Sequence, residues 1–315
     1  MEVEVKNNRV VWPKAIKIVV DEILPYYQNR GLSPSLREVY YRLVTKGLPN
    51  TKSSYSQLSD KLVEARMMGK IPWGMISDQS RYLFNDDIPE YKSPEEYVQL
   101  GIDYLKNIHE NYRIPRWYGQ PNYVEVWLEK KAAVGTIMSF LKDREIRIAP
   151  LGGFDSWGDA YKHSRRLESI IKNGIKMENI HIIYLGDFDP SGSNIEKHAR
   201  QELNYFKFGG INFKRIAVTK EQIEEYGLPP QPDDAQTLKK LDRDPRTKKF
   251  IAKHGQLFAV ELEALTAFVP DEFEQLVQTQ VDSLFDNNIY QELLDRPEHN
   301  EAHISGLVDK RVKFE

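Results

Sequence analysis

Between residues 180 and 192 the chain reads Ile180-His181-Ile182-Ile183-Tyr184-Leu185, then Gly186, then Asp187-Phe188-Asp189-Pro190-Ser191-Gly192. A run this apolar, without in-and-out alternation, fits a strand covered on both faces, the condition of a parallel sheet packed between helices. Pro190 and Gly192 end the strand, so Asp187 and Asp189 arrive together at its carboxyl end, where open α/β sheets hold their ligands. Two carboxylates one residue apart at such an edge are hard oxygen donors suited to a divalent cation.

A second run, Tyr123-Val124-Glu125-Val126-Trp127-Leu128, stops at Glu129-Lys130-Lys131-Ala132-Ala133-Val134 and brings a third carboxylate to the same edge. From residue 122 onward strands at 123–128, 146–150, 180–185 and 213–218 alternate with helices at 132–142, 157–172 and 192–206. That order predicts an α/β domain with a mainly parallel sheet. A further strand is expected at Leu257-Phe258-Ala259-Val260, behind a charged segment at 233–254, and the chain from 271 reads as helix.

The front of the chain has a different period. Ile16, Val19, Val20, Ile23 and Leu24 form one stripe of a helix over 12–30. Ser35-Leu36-Arg37-Glu38 is a capping box opening the next helix, with Gly47 as its stop. A third helix spans 53–69, and Ile71-Pro72-Trp73-Gly74-Met75-Ile76 reads as a short strand or wing. Three helices and a wing are the order of a winged-helix domain. The expected organisation is therefore a winged-helix segment at 1–82, a connector at 83–118, a metal-binding domain at 119–270 and a helical tail at 271–315.

With 40% hydrophobic and 29% charged residues over 315 positions, the composition is that of a globular protein with room for two domains. Cysteine is absent and the seven histidines have no ligand spacing, which excludes disulfides, thiolate chemistry and cysteine zinc sites. Any metal is left to oxygen ligands. No run is apolar enough for a membrane span and the N-terminus lacks a signal-peptide pattern, so a cytoplasmic location is expected. The net charge of -3 hides an asymmetry: residues 1–82 carry 13 basic against 8 acidic side chains, the remainder 31 against 39. A basic front on an acidic body suits a DNA-binding element joined to a catalytic one.

Helical spacing separates two adjacent tyrosines. Leu36, Val39, Tyr40, Leu43 and Val44 share the stripe that faces a core, which assigns Tyr40 to packing. Tyr41 then points away, among Arg37, Glu38 and Thr45, either as a surface aromatic on a DNA-binding helix or as an exposed phenol whose phenolate a cation could stabilise. Asp189 also suits a helix cap and Asp187 a solvated turn, but that reading leaves Glu129 unexplained. Gly152 and Gly153 read as a tight turn or a backbone contact to phosphate, with Asp155 capping the next helix. Glu261 and Glu263 are either acids supporting the metal ligands or a helix start, and His163, His181 and His198 are structural or surface residues.

On these residues the chain resembles, from about 30 to 230, the A subunit of topoisomerase VI and the related meiotic double-strand-break transesterases. Leu36-Arg37-Glu38-Val39-Tyr40-Tyr41 is similar to that family's catalytic-tyrosine motif, with the second tyrosine as nucleophile. Glu129-Lys130-Lys131-Ala132-Ala133-Val134 resembles its Toprim glutamate segment, and Asp187-Phe188-Asp189-Pro190-Ser191-Gly192 its Asp-x-Asp. Arg215-Ile216-Ala217-Val218-Thr219 through Tyr226-Gly227-Leu228-Pro229 resembles the stretch after the Toprim core. The resemblance implies a winged helix followed by a Rossmann-like Toprim domain, acting on double-stranded DNA. Tyr41 would form a 5′-phosphotyrosyl link, Arg37 would assist the phenolate or phosphate, and Glu129, Asp187 and Asp189 would hold magnesium, with manganese as substitute. It also implies a homodimer in which one copy's tyrosine works beside its partner's metal site, and a separate GHKL-type ATPase subunit for strand passage. A hydrolytic Toprim nuclease and a non-catalytic DNA-binding or partner-docking module are the competing expectations.

Overall fold

The computed structural model describes residues 1–6, 9–76, 93–151, 157–230, 245–255 and 259–311. Its described residues fall into two compact units: those of Met1–Ser80 and Tyr123–Asp282 make one, those of Arg81–Asn122 and Ser283–Glu315 the other. The segments read from sequence as separate winged-helix and metal-binding modules thus share one unit, because the helix bearing Tyr41 packs on a helix beyond residue 261.

In the first unit a short antiparallel pair, β1 (Val5–Lys6) and β2 (Arg9–Val10), precedes α1 (Trp12–Ile18), a π turn (Val19–Ile23) and α2 (Leu24–Gln28). The wider turn lies just ahead of Pro25, which lacks the N–H a regular ladder would use. α3 (Leu36–Val44) starts from the expected capping box: Ser35 Oγ accepts from the Glu38 N–H, and Glu38 accepts from the Ser35 N–H. Thr51 caps α4 (Lys52–Met67). The expected strand or wing at 71–76 is instead one 3-10 turn, Trp73–Met75. Pro72 and Gly74 favour a turn there, and no described strand lies alongside to pair with it.

The sheet follows the predicted strands closely. β3 (Tyr123–Leu128), β4 (Arg147–Pro150), β5 (Ile180–Leu185) and β6 (Asn212–Ala217) lie in the order β4-β3-β5-β6, all parallel. Leu128 stands opposite Leu185 in register, so the residues following each strand emerge side by side. α5 (Val134–Leu141), α6 (Trp157–Lys172), α7 (Pro190–Tyr205), α8 (Lys220–Tyr226), α9 (Pro245–His254), α10 (Leu262–Phe268) and α11 (Pro270–Asp282) complete the unit. Trp127, Ile182, Tyr184, Leu167, Ile195 and Leu203 form the core against the sheet, each buried side chain contributing about 1.5–3 kcal/mol. Glu125 is fully buried on β3 yet satisfied: Arg166 of α6 donates to its two oxygens at 2.6 and 2.7 Å, Trp127 Nε1 at 2.8 Å, and the Tyr123 hydroxyl also donates.

Of the strand expected at 257–260, Leu257 and Phe258 lie outside the described residues, and Val260 makes a single antiparallel bridge to Phe188. Gly152, Gly153 and Asp155 also lie outside them. The second unit gathers helices from the expected connector (Pro94–Lys106, Ile108–Asn111) and the expected tail (Asn287–Leu294, Glu301–Arg311). Gln120 ties the two together, donating to the Asp286 carbonyl at 2.9 Å and accepting from the Asp286 N–H at 2.7 Å. Among the described residues no helix is long and apolar enough to cross a membrane.

Candidate active site

Parallel pairing of β3 with β5 brings Glu129 and Asp187 together: Glu129 Oε2 accepts from the Asp187 N–H at 2.8 Å. Both are buried, Asp187 at 2% exposure, so it is no solvated turn residue. Its Oδ1 accepts from the Leu262 N–H at 3.0 Å and its Oδ2 pairs with the Lys130 ammonium at 2.5 Å. Asp189 caps α7, accepting from the Gly192 N–H at 2.5 Å. Gly192 fits because it has no side chain: a Cβ there would overlap the Asp187 carbonyl oxygen and lie 2.7 Å from Glu129 Oε2.

Tyr41 departs from the sequence expectation. It is not exposed but fully buried, in edge contact with Tyr40 at 5.4 Å between ring centroids, and its hydroxyl donates to Glu261 Oε2 at 2.9 Å. The reason is tertiary: α10 packs along α3, and Glu261, one residue before α10, turns its carboxylate toward the helix face opposite Leu36 and Val39. Arg37, one turn earlier on α3, pairs with that same oxygen at 2.7 Å and lies over the Tyr55 ring at 4.8 Å. Glu261 Oε1 accepts from Lys130 at 3.2 Å, and Glu263 Oε2 is 3.7 Å from the same ammonium and, among the described residues, has no hydrogen-bond partner. A continuous polar path therefore runs from Tyr41 through Glu261, Lys130 and Asp187 to Glu129, all within one chain.

No protein-family model, curated protein or solved structure matches this chain.

Charge in the cluster is out of balance. Five carboxylates, from Glu129, Asp187, Asp189, Glu261 and Glu263, face two cations, Lys130 and Arg37. Burial, reinforced by Asp187 and Asp189, pushes Glu129 up to about 8, and burial pushes Glu263 up to about 7 despite Lys130. Burial also raises Asp187 against the pull of Lys130. Lys130, although partly desolvated, is held above the usual lysine range by Glu263, Asp187 and Glu261. Burial first, and then the Glu261 charge, lift the Tyr41 phenol far above its ordinary value against the opposing effect of Arg37.

Among the described residues no three acids stand grouped as cation ligands, and the Asp187 carboxylate is already engaged by Lys130 and by the Leu262 N–H. The donor chemistry would nevertheless suit magnesium: the acids offer carboxylate oxygens, the surplus charge is negative, and among the described residues the buried Glu263 Oε2 has no hydrogen-bond partner. The sequence singled out Tyr41, Arg37, Glu129, Asp187 and Asp189, and the structure sets them along one cluster. It missed Lys130, whose neighbour Glu129 drew the attention, and left Glu261 open between support and helix start; Glu261 stands at the start of α10 and bonds Tyr41.

Glu261, the acid in contact with Tyr41, belongs to the same chain, since α3 docks on α10 of the same unit.

Proposed function

We propose that this chain is a magnesium-dependent DNA-cleaving transesterase of the topoisomerase VI A-subunit kind, built from a winged-helix-like helical segment and a Toprim-like sheet. The observation that carries it is the 2.9 Å hydrogen bond from the Tyr41 hydroxyl to Glu261, one ammonium away from Asp187. A phenol held by a carboxylate acceptor beside a clustered set of hard oxygen ligands is the apparatus of nucleophilic phosphoryl transfer.

In this reading Tyr41 Oη attacks the phosphorus of a phosphodiester and the bond from phosphorus to the 3′ oxygen breaks. The Tyr41 proton passes to Glu261 and is returned to the leaving 3′ oxygen, so the step is balanced and leaves a 5′-phosphotyrosyl ester. Arg37, freed from Glu261 as that carboxylate is neutralised, pairs with a phosphate oxygen. Lys130 keeps the buried acids compensated. Glu129, Asp187 and Asp189 would hold the magnesium ion, which when bound supplies positive charge for the phosphate oxygens. Double-stranded DNA is the substrate, two copies of the chain would cut its two strands, and strand passage would require a separate GHKL-type ATPase subunit.

Full burial of Tyr41 favours one competitor, a Toprim nuclease in which water is the nucleophile and Tyr41 only braces Glu261. Incubation with supercoiled DNA and magnesium or manganese, trapping with denaturant and mapping of the modified peptide decides between them. A transesterase yields an adduct on Tyr41, and Tyr41→Phe abolishes adduct and cutting together. Cutting that survives in Tyr41→Phe without any adduct sinks the proposal in favour of hydrolysis.

A further inference from the structure

Beside Phe188 lies a cavity of about 710 Å3 lined by residues of α7, α8 and α9. Among the described residues seven lysine and arginine side chains line it against two glutamates. This is a concentration of positive charge in the part of the chain that is otherwise acidic, with 31 basic against 39 acidic residues after position 82. Glu196, one of the two glutamates, is already committed to Arg200 at 2.9 Å and Arg215 at 2.7 Å. Lys197, Lys249 and Lys253 are exposed and, among the described residues, have no ion-pair partner. Lys197 comes from α7, the two others from successive turns of one face of α9, so three ammonium groups without an ion pair among the described residues flank one opening.

Beneath them the floor is apolar. Phe188, Phe250 and His254 pack ring against ring, with centroids 4.6–5.1 Å apart. His254 is held below the ordinary imidazole value by burial and then by Lys253, Lys220 and Arg215, a response to the same positive field.

We propose that this cavity binds the phosphate groups of nucleotide units, with Lys197, Lys249 and Lys253 as the principal anion contacts and the Phe188–Phe250 floor beneath the attached sugar or base. Its volume lies in the range of sites for small ligands, and mobile lysines over an apolar floor suit a phosphate carried on an organic group. Such a unit could come from two sources, a free nucleotide or one unit of a strand. The inference stands on the cavity and not on Tyr41 chemistry.

The test is fluorescence anisotropy on the full chain with two probes, a labelled nucleoside triphosphate and a labelled single-stranded oligonucleotide, at low and at moderate salt. The comparison is with the triple variant Lys197→Gln, Lys249→Gln, Lys253→Gln, whose fold is checked by circular dichroism. The expected result is that at least one probe binds, and that the triple variant weakens it about tenfold or more, with a smaller salt dependence if the probe is the strand. Triphosphate binding assigns the cavity to a free nucleotide; binding of the oligonucleotide alone assigns it to a strand. Failure of both probes to bind, or equal binding by the folded triple variant, overturns the proposal. A missing Tyr41 adduct in the cleavage experiment leaves it standing.

Discussion

At the scale of single residues the proposed chemistry turns on what Glu261 does to Tyr41. A buried phenol next to a carboxylate is a poor nucleophile until its proton has somewhere to go, and Glu261 is the acceptor already in contact. Glu261→Gln keeps the shape and a hydrogen-bonding oxygen while removing the base. It is expected to slow adduct formation by about 10²–10⁴-fold with little change in DNA affinity, read from single-turnover trapping and a separate binding isotherm. An unchanged rate would reduce Glu261 to a brace. A second residue sets an acid limit on stability. His163 Nδ1 lies 2.8 Å from Arg166 Nη2 and accepts from it, and burial followed by the Arg166 charge holds the imidazole below its ordinary value of 6.5. The unfolded chain therefore takes up this proton more readily than the folded one, and stability present above about pH 6.5 is lost as pH falls below it. Chemical denaturation at pH 7.5 and 5.5 should show the loss, and His163→Gln should shrink it; an identical pH difference in the variant would assign the effect elsewhere.

Elements explain how Tyr41, the proposed nucleophile, is held. α3 is nine residues long, too short to be stable alone, and depends on its cap and on α10. Ser35→Ala removes one half of the capping box and is expected to cost about 1 kcal/mol, measured by denaturant midpoint. A loss well beyond that would mean the cap also holds Glu38, whose carboxylate accepts from Thr136 Oγ1 of α5 at 2.8 Å. The same elements show what the sequence could disclose. β3 and β5 were legible because strands buried on both faces must be written as continuous apolar runs, and their parallel pairing then fixes Glu129 beside Asp187. The surroundings of Tyr41 were not, because its partner lies 220 residues away and helical spacing reports only which face a residue occupies, not what docks there. The wing failed for a related reason: a strand exists only with a neighbour to pair with, and residues 71–76 are described with none.

For the whole molecule, the segments at either end of the parallel-sheet region behave unequally. The front of the chain folds into the unit that carries the sheet, whereas residues expected as connector and tail join in a second unit of their own. One chain thus holds the tyrosine and the acids together, and this arrangement predicts the outcome of mixing. On the proposed function, Tyr41→Phe and Glu129→Gln chains are each expected to form no adduct, and to form none when co-refolded, because neither contains a complete set. Restored adduct formation, read by denaturant trapping of the mixture, would show that copies exchange their tyrosines across a dimer.

Gly192 leaves a mark of another sort. The first turn of α7 presses so tightly on the tips of β3 and β5 that a single methyl group has nowhere to sit. That bare position cannot be filled without prising helix from sheet, so whatever the acids around it do, the hydrogen at 192 is a demand of the scaffold and not of any chemistry.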